Sequence, residues 1–370
     1  MRFILNTNEL VSALSVATHA LSPRSTMPIL EGVLLETTSE GLRVTCSDGA
    51  MTISSMVPAA IEEPGRIVMP GRLFCDVVRK LPTAEMLFSA SQNMIATLKC
   101  AGSRTTIAGK PADLFPQRPV IDAQNHIELP QPMLREMIQK TSFAVSADES
   151  RKILTGCLME ISAGEVRMVA TDGFRLAVHI APVAPDAADL SVVIPSKLLQ
   201  ELSKIVNGGE DDMVSMTFGQ SQLLVELGDT KVYATLLEGE YIKYRQIIPT
   251  GWKTMVRILD REQLALCVER ASLMAKESKT NLIKLNVMDG LMTITSNSEM
   301  GDVYEEIQVE SEGDELEIAF NVKYMTDVIR VIEDDEFVLR FNSNISPCVF
   351  APVEGGSFTY MVLPVRLRVS

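Results

Sequence analysis

From Leu30 the chain reads "LEGVLLETTSEGLRVTCSDGAMTI": apolar and polar positions alternate in two runs, Ser-Glu-Gly separates them, and an Asp-Gly pair ends the second. Alternation at period two predicts paired strands with one buried face, and the glycine-containing breaks predict tight turns. The same order returns from Leu154 ("LTGCLMEISAGEVRMVATDGFRLA") and from Leu282 ("LIKLNVMDGLMTITSNSEMGDV"). Each is followed by a short β-rich run that meets Pro or Asn and turns helical, in "IVMPGRLFCDVVRKL", "VVIPSKLLQELSKI" and "IAFNVKYMTDVIRVI". A further helix opens each third, with apolar residues three and four apart. The three faces are Leu10, Leu14 and Ala17, then Met133, Met137 and Ile138, then Leu264, Cys267 and Val268 behind Asp260 as N-cap. Pro70, Pro195 and Asn321 are equivalent positions about 125 residues apart, a domain rather than a solenoid unit. Pro- and polar-rich joints near 116–127 and 249–253 divide the chain into 1–120, 127–247 and 252–370. Two helices among roughly eight strands per third make the class α+β.

Composition changes little in this picture. The 370 residues are 46% hydrophobic and 22% charged, a globular balance too long for one ordinary core. Apolar runs are short, and the start, "MRFILNTNEL", turns polar after five residues, so neither a secretory leader nor a membrane span is predicted and the cytoplasm is the expected compartment. Cys46, Cys75, Cys100, Cys157, Cys267 and Cys348 are too scattered for zinc or redox pairs, and His19, His126 and His179 suggest no metal site or triad.

Charge does change the picture. The net charge is −14, yet the six predicted helices together carry +4, leaving −18 for strands and loops. Helices that shared a face could meet phosphates while the rest of the surface repels them; taken alone, such cations fit a solvated face as well. No phosphate loop, dinucleotide fingerprint, zinc-histidine pair or serine elbow occurs, so no cofactor, metal or catalytic residue is expected. The acidic run Glu333 to Glu336 fits no calcium loop and reads as a solvated turn. From these features a three-domain scaffold or an open DNA-binding regulator is one reading, with an enzyme of unrecognised type behind it.

One Asp-Gly turn is decorated. In "ATDGFRLAV" Gly173 is followed by Phe174 and Arg175, whereas the equivalent Asp48-Gly49 is followed by Ala50 and Met51. This segment, "RSTMPILEGVLLE" (Arg24 to Glu36) and the terminal "YMVLPVRL" (Tyr360 to Leu367), set in three tandem thirds, closely resemble the DNA polymerase III beta subunit family, the bacterial replicative sliding clamps. The resemblance implies three domains of one fold, each with two inner helices and outer antiparallel sheets. It further implies a head-to-tail homodimer, six domains in a ring around duplex DNA, that tethers polymerases without catalysis.

Size agrees with pairing. Six helices about 10 Å across enclose a bore near 9 Å, too narrow for a duplex about 20 Å wide, whereas twelve enclose about 28 Å. The resemblance assigns Arg24, Arg72 and Lys197 to DNA, and helix placement adds Lys140 and Lys276. It places a partner-peptide pocket at Arg151, Leu154, Thr171, Gly173, Phe174, Arg175, Leu176, Ile242, Ile247, Met361, Val362, Leu363, Pro364, Val365, Arg366 and Leu367. There polymerase, clamp loader and repair proteins would insert short peptides rich in Gln, Leu and Phe. Leu154, Leu176, Ile247 and Val362 suit the apolar anchors, the arginines of turn and tail suit polar or acidic flanks, and Phe174 fits core or rim. The resemblance also places the subunit seam at Arg104 and Ile107 of one copy against Ser272, Leu273, Glu305 and Glu306 of the other, where Arg104 would face Glu305 or Glu306. Gln246, where an arginine is common, and Leu363 and Val365, where methionines often flank Pro364, depart from the family pattern.

Overall fold

The structure, a computed structural model, describes residues 1–22, 24–185 and 187–366. Among the described residues six α-helices form where the 3.6-residue pattern predicts: α1 (Thr7–Ala17), α2 (Gly71–Lys80), α3 (Gln131–Thr141), α4 (Ser196–Ile205), α5 (Arg261–Glu277) and α6 (Val322–Val331). Side-chain caps start α1, α5 and α6. Asn6 accepts from Asn8 N, Asp260 from Gln263 N and Asn321 from Lys323 N, each satisfying an amide that has no partner within its helix. The predicted faces of α1 and α5 are buried; α3 turns inward on Leu134 rather than Met133, together with Met137 and Ile138. No helix among the described residues is long and apolar enough to cross a membrane.

By its contacts the chain forms two compact units, residues 1–132 with 204–236, and 133–203 with 237–370. In the first, a five-stranded sheet runs Ala60–Glu63, Arg2–Asn6, Glu85–Ala90, Ile95–Cys100, Ser103–Ala108, and its last strand has a neighbour on one side only. Phe3 and Phe88 stack at 4.7 Å beneath it, with Phe74 of α2 edge-on to Phe88. An eight-stranded sheet completes the unit, in which Thr230–Thr235 pairs antiparallel with Met51–Val57, Val232 opposite Ile53. The α1 helix packs on α2 and on strands Gly41–Ser47 and Met51–Val57.

The second unit holds twelve strands in one continuous order. Arg175–Pro182 pairs with Phe358–Val362, Leu176 opposite Met361, so strands from the middle and the end of the sequence share one surface. Gly301–Gly313 pairs with Leu291–Ser298 through Gln308 and with Thr254–Ile258 from Val309 onward. Its first half is therefore hydrogen-bonded on one side only. Helices α5 and α6 pack on each other, and α5 covers strands Leu282–Met288, Leu291–Ser298 and Gly301–Gly313. All six cysteines are free and buried, and burial pushes the thiols of Cys46, Cys75, Cys157, Cys267 and Cys348 up, Cys75 to about 11, which makes them inert packing groups.

Candidate functional site

Thr171 pairs with Leu176, so the decorated turn has four residues between paired positions, not the two of a tight primed turn. The reason is the Asp172 carboxylate, whose Oδ1 accepts from Phe174 N at 2.8 Å and Arg175 N at 3.0 Å. Thr171 Oγ1 donates to Arg175 O and accepts from Gly173 N, and Gly173 takes φ +91°. The plain copy has the same frame. Asp48 Oδ1 accepts from Ala50 N and Met51 N, Ser47 stands in for Thr171, and Gly49 has φ +92°. The two turns differ in the residues that follow the glycine, Phe174 and Arg175 against Ala50 and Met51.

Arg175 is turned inward. It is 7% exposed, its Nε donates to Asp172 (3.1 Å), its Nη1 to Asp327 of α6 (2.6 Å) and its Nη2 to the Phe143 carbonyl (2.6 Å). The Tyr324 ring lies 4.7 Å below the guanidinium, and Phe174 stacks on the same ring at 6.2 Å. The expectation that Arg175 meets a polar or acidic flank is thus corrected: its donors are used within the chain, where they tie the turn to α6. Phe174, 55% exposed, belongs to the rim. Arg151 is exposed, bonded to Asp148 and Ser146, with its Nη1 2.9 Å from where a Cβ on Gly173 would stand.

Beneath the turn lies an apolar cluster that includes Leu154, Leu158, Leu176, Val178, Tyr241, Tyr244, Val349 and Met361. Leu154, Leu176 and Met361 are thereby brought together as expected. Val362 is not among them: it pairs with Arg175, faces the other side of the sheet and is fully buried, so Met361 takes the anchor position assigned to Val362. Ile242 and Ile247 are exposed at the edge. Leu363 N donates to Phe174 O at 2.8 Å, joining tail to turn; Leu363 and Pro364 are half-buried, and Val365 and Arg366 exposed. Leu367 lies outside the described residues. Sequence reasoning missed Tyr241, Tyr244, Val349 and Tyr324; only Tyr324 left a trace, three residues before Asp327 on one helical face.

Arg24, Arg72, Lys197 and Lys276 are exposed, Arg72 in the first turn of α2, Lys197 in that of α4 and Lys276 in the last turn of α5. Lys140 is not available to phosphates. Its side chain is 14% exposed and pairs with Glu136 (2.5 Å) and Glu333 (3.1 Å); burial alone would lower its pKa, but these carboxylates raise it. At the expected seam, Arg104 is exposed on the one-sided strand Ser103–Ala108 and Leu273 is 63% exposed on α5. Ile107 and Ser272 are instead buried within their own unit, Ser272 Oγ donating to Glu269 O. Arg270 clasps Glu305 with two bonds of 2.6 Å and holds its carboxyl below the usual range, while Glu306 accepts from Tyr304. Of the two acids, Glu306 has the capacity left for an arginine from outside.

Three family models match in series: the N-terminal domain of the DNA polymerase III beta subunit over residues 1–119, the central domain over 128–243 and the C-terminal domain over 245–366. The chain belongs to the DNA polymerase III beta subunit family. The beta sliding clamp of Staphylococcus aureus is 32% identical to it, with 99% of each chain covered. The crystal structure of the DNA polymerase sliding clamp from Bacillus subtilis superposes with a TM-score of 0.95 at 32% identity, covering 99% of each chain. That of the DNA polymerase III subunit beta from Pseudomonas aeruginosa gives 0.93 at 28%, over 99% and 100%. The fold is the α+β clamp fold in three domains, and the protein is a sliding clamp, a processivity factor without catalysis of its own.

Proposed function

We propose that two copies close head to tail around duplex DNA and that the turn-and-tail cluster holds the peptides of the proteins the clamp tethers. The family match running in order across residues 1–366 carries this reading. It takes the chain as three domains, 1–120, 127–247 and 252–370, working in the cytoplasm. The partners are the DNA polymerase III alpha subunit, the clamp loader, and other polymerases and repair proteins, each offering a short peptide with Gln, Leu and Phe.

Each part has a physical basis. The buried Leu154, Leu176 and Met361 give an apolar floor, and the exposed Phe174, Ile242 and Ile247 a rim, the arrangement that takes Leu and Phe anchors. Arg24, Arg72, Lys197 and Lys276 are few and dispersed, which suits centring a duplex rather than gripping it. The strand Ser103–Ala108 and the first half of Gly301–Gly313 each lack a neighbour on one side, so two copies can join sheet edge to sheet edge, with Arg104 facing Glu306 and Leu273 covered.

The test is retention after loading. Placed on nicked circular DNA by a clamp loader, the protein should co-migrate with the circle and be lost when a restriction enzyme linearises it. Equal retention on both forms, or a persistent monomer at micromolar concentration, would overturn the ring.

A further inference from the structure

Arg257 and Arg340 point from the same face of the twelve-stranded sheet, Met255 lying opposite Arg340 and Arg257 opposite Val338. Arg257 is satisfied, its Nε donating to Glu336 at 2.8 Å and its Nη1 to Glu310 at 3.4 Å. Arg340 forms no ion pair among the described residues. Its guanidinium lies over the Trp252 ring, 4.3 Å from the centroid, and its Nε is buried without a hydrogen-bond partner. The ring holds the cation from one side and supplies no acceptor. A buried donor left this way is the exception in folded proteins.

The two groups line a notch of about 80 Å³ with Ile248, Pro249, Pro347 and Val349. That volume is far below the hundreds of cubic ångströms of an ordinary small-molecule site and suits the end of a single side chain. Two of its walls are shared with the turn-and-tail cluster: Val349 belongs to that cluster and Ile248 packs against it. A chain seated on the cluster can reach the notch by passing Ile248.

We propose that the notch is a carboxylate subsite, in which Arg340, backed by Trp252, receives an Asp or Glu side chain of the peptide whose apolar residues occupy the neighbouring cluster. The proposal rests on the peptide-docking reading above. A carboxylate offers two acceptors to the paired Nη groups of the planar guanidinium, which a neutral amide of the same shape cannot match.

Calorimetric titration of the full-length protein tests it with peptides carrying Gln, Leu and Phe anchors and a Glu, or in its place a Gln, at each flanking position in turn. At one position the Glu peptide should bind five- to tenfold more tightly, and it alone should shift the emission of Trp252, the chain's single tryptophan. Arg340→Gln should erase that preference while binding the Gln peptide as the wild type does. Arg340→Lys should keep part of it, since an ammonium has charge without the fork. No Glu preference at any position of the wild type, or a preference that survives Arg340→Gln, overturns the subsite while leaving docking intact. The peptide exchange on the wild type decides the matter even if a variant does not fold. If no peptide binds, the docking reading fails and takes the subsite with it.

Discussion

Arg175 holds together three parts of one unit that are remote in sequence: its own turn through Asp172, the Phe143 carbonyl, and Asp327, 152 residues away on α6. Removing the cation would leave two mostly buried carboxylates facing each other. Arg175→Ala should therefore cost about 3–5 kcal/mol in urea unfolding, the range for breaking a buried pair by deleting one member. Arg175→Lys should recover only part, because one ammonium cannot address three acceptors held in a plane. His179 gives a pH dependence of known sign. Burial lowers its pKa, Lys140 lowers it further and the nearby Glu136 and Glu333 oppose this; its Nδ1 has no partner. The unfolded chain, with a histidine pKa of about 6.5, then binds the proton more readily than the native state. The stability contributed is complete above about pH 6.5 and falls as the pH drops through it. Urea midpoints at pH 7.5 and 5.5 should fall further in the wild type than in His179→Gln; equal falls would show that His179 is not the titrating group.

At the scale of elements, the turn, the tail and the rim of the cluster make separable contributions. Leu176 is fully buried, so Leu176→Ala should cost about 2–5 kcal/mol of stability as well as peptide affinity. Phe174→Ala and Ile247→Ser act on exposed side chains and should lower peptide affinity about tenfold while urea midpoints stay nearly constant; unchanged affinity in both would remove the rim from the site. The helices were legible because each carries its own period: Phe74, Cys75 and Val78 face inward on α2 as their three-and-four spacing demands. The hairpins were legible from Gly173 and its plain counterpart Gly49. Strand partners across the chain were not, since nothing local tells Leu176 to lie opposite Met361 or Val232 opposite Ile53. The peptide-site residues came from resemblance rather than pattern. The same blindness misjudged Val362, because one step along a strand reverses the face, and Lys140, whose partner Glu333 lies in a run read as a solvated turn.

For the whole molecule, a net charge of −14 opposes DNA, so affinity and residence should depend on different residues. In the proposed ring the exposed Arg72 and Lys197 govern encounter and centring, and only the seams govern escape. Leu273, 63% exposed on α5, is the exposed apolar residue of the assigned seam, Ile107 being buried. Truncating it to alanine should remove about 1.5 kcal/mol at each seam. A head-to-tail dimer has two seams, so the dissociation constant should rise about a hundredfold, whereas a ring that opens at one seam should escape about tenfold faster. Sedimentation velocity measures the first quantity and the half-life on nicked circular DNA the second. Arg72→Ala with Lys197→Ala should weaken binding to linear DNA and leave the half-life on circles unchanged. If those two substitutions shortened the half-life on circles as much as Leu273→Ala does, adhesion rather than enclosure would be holding the protein on DNA.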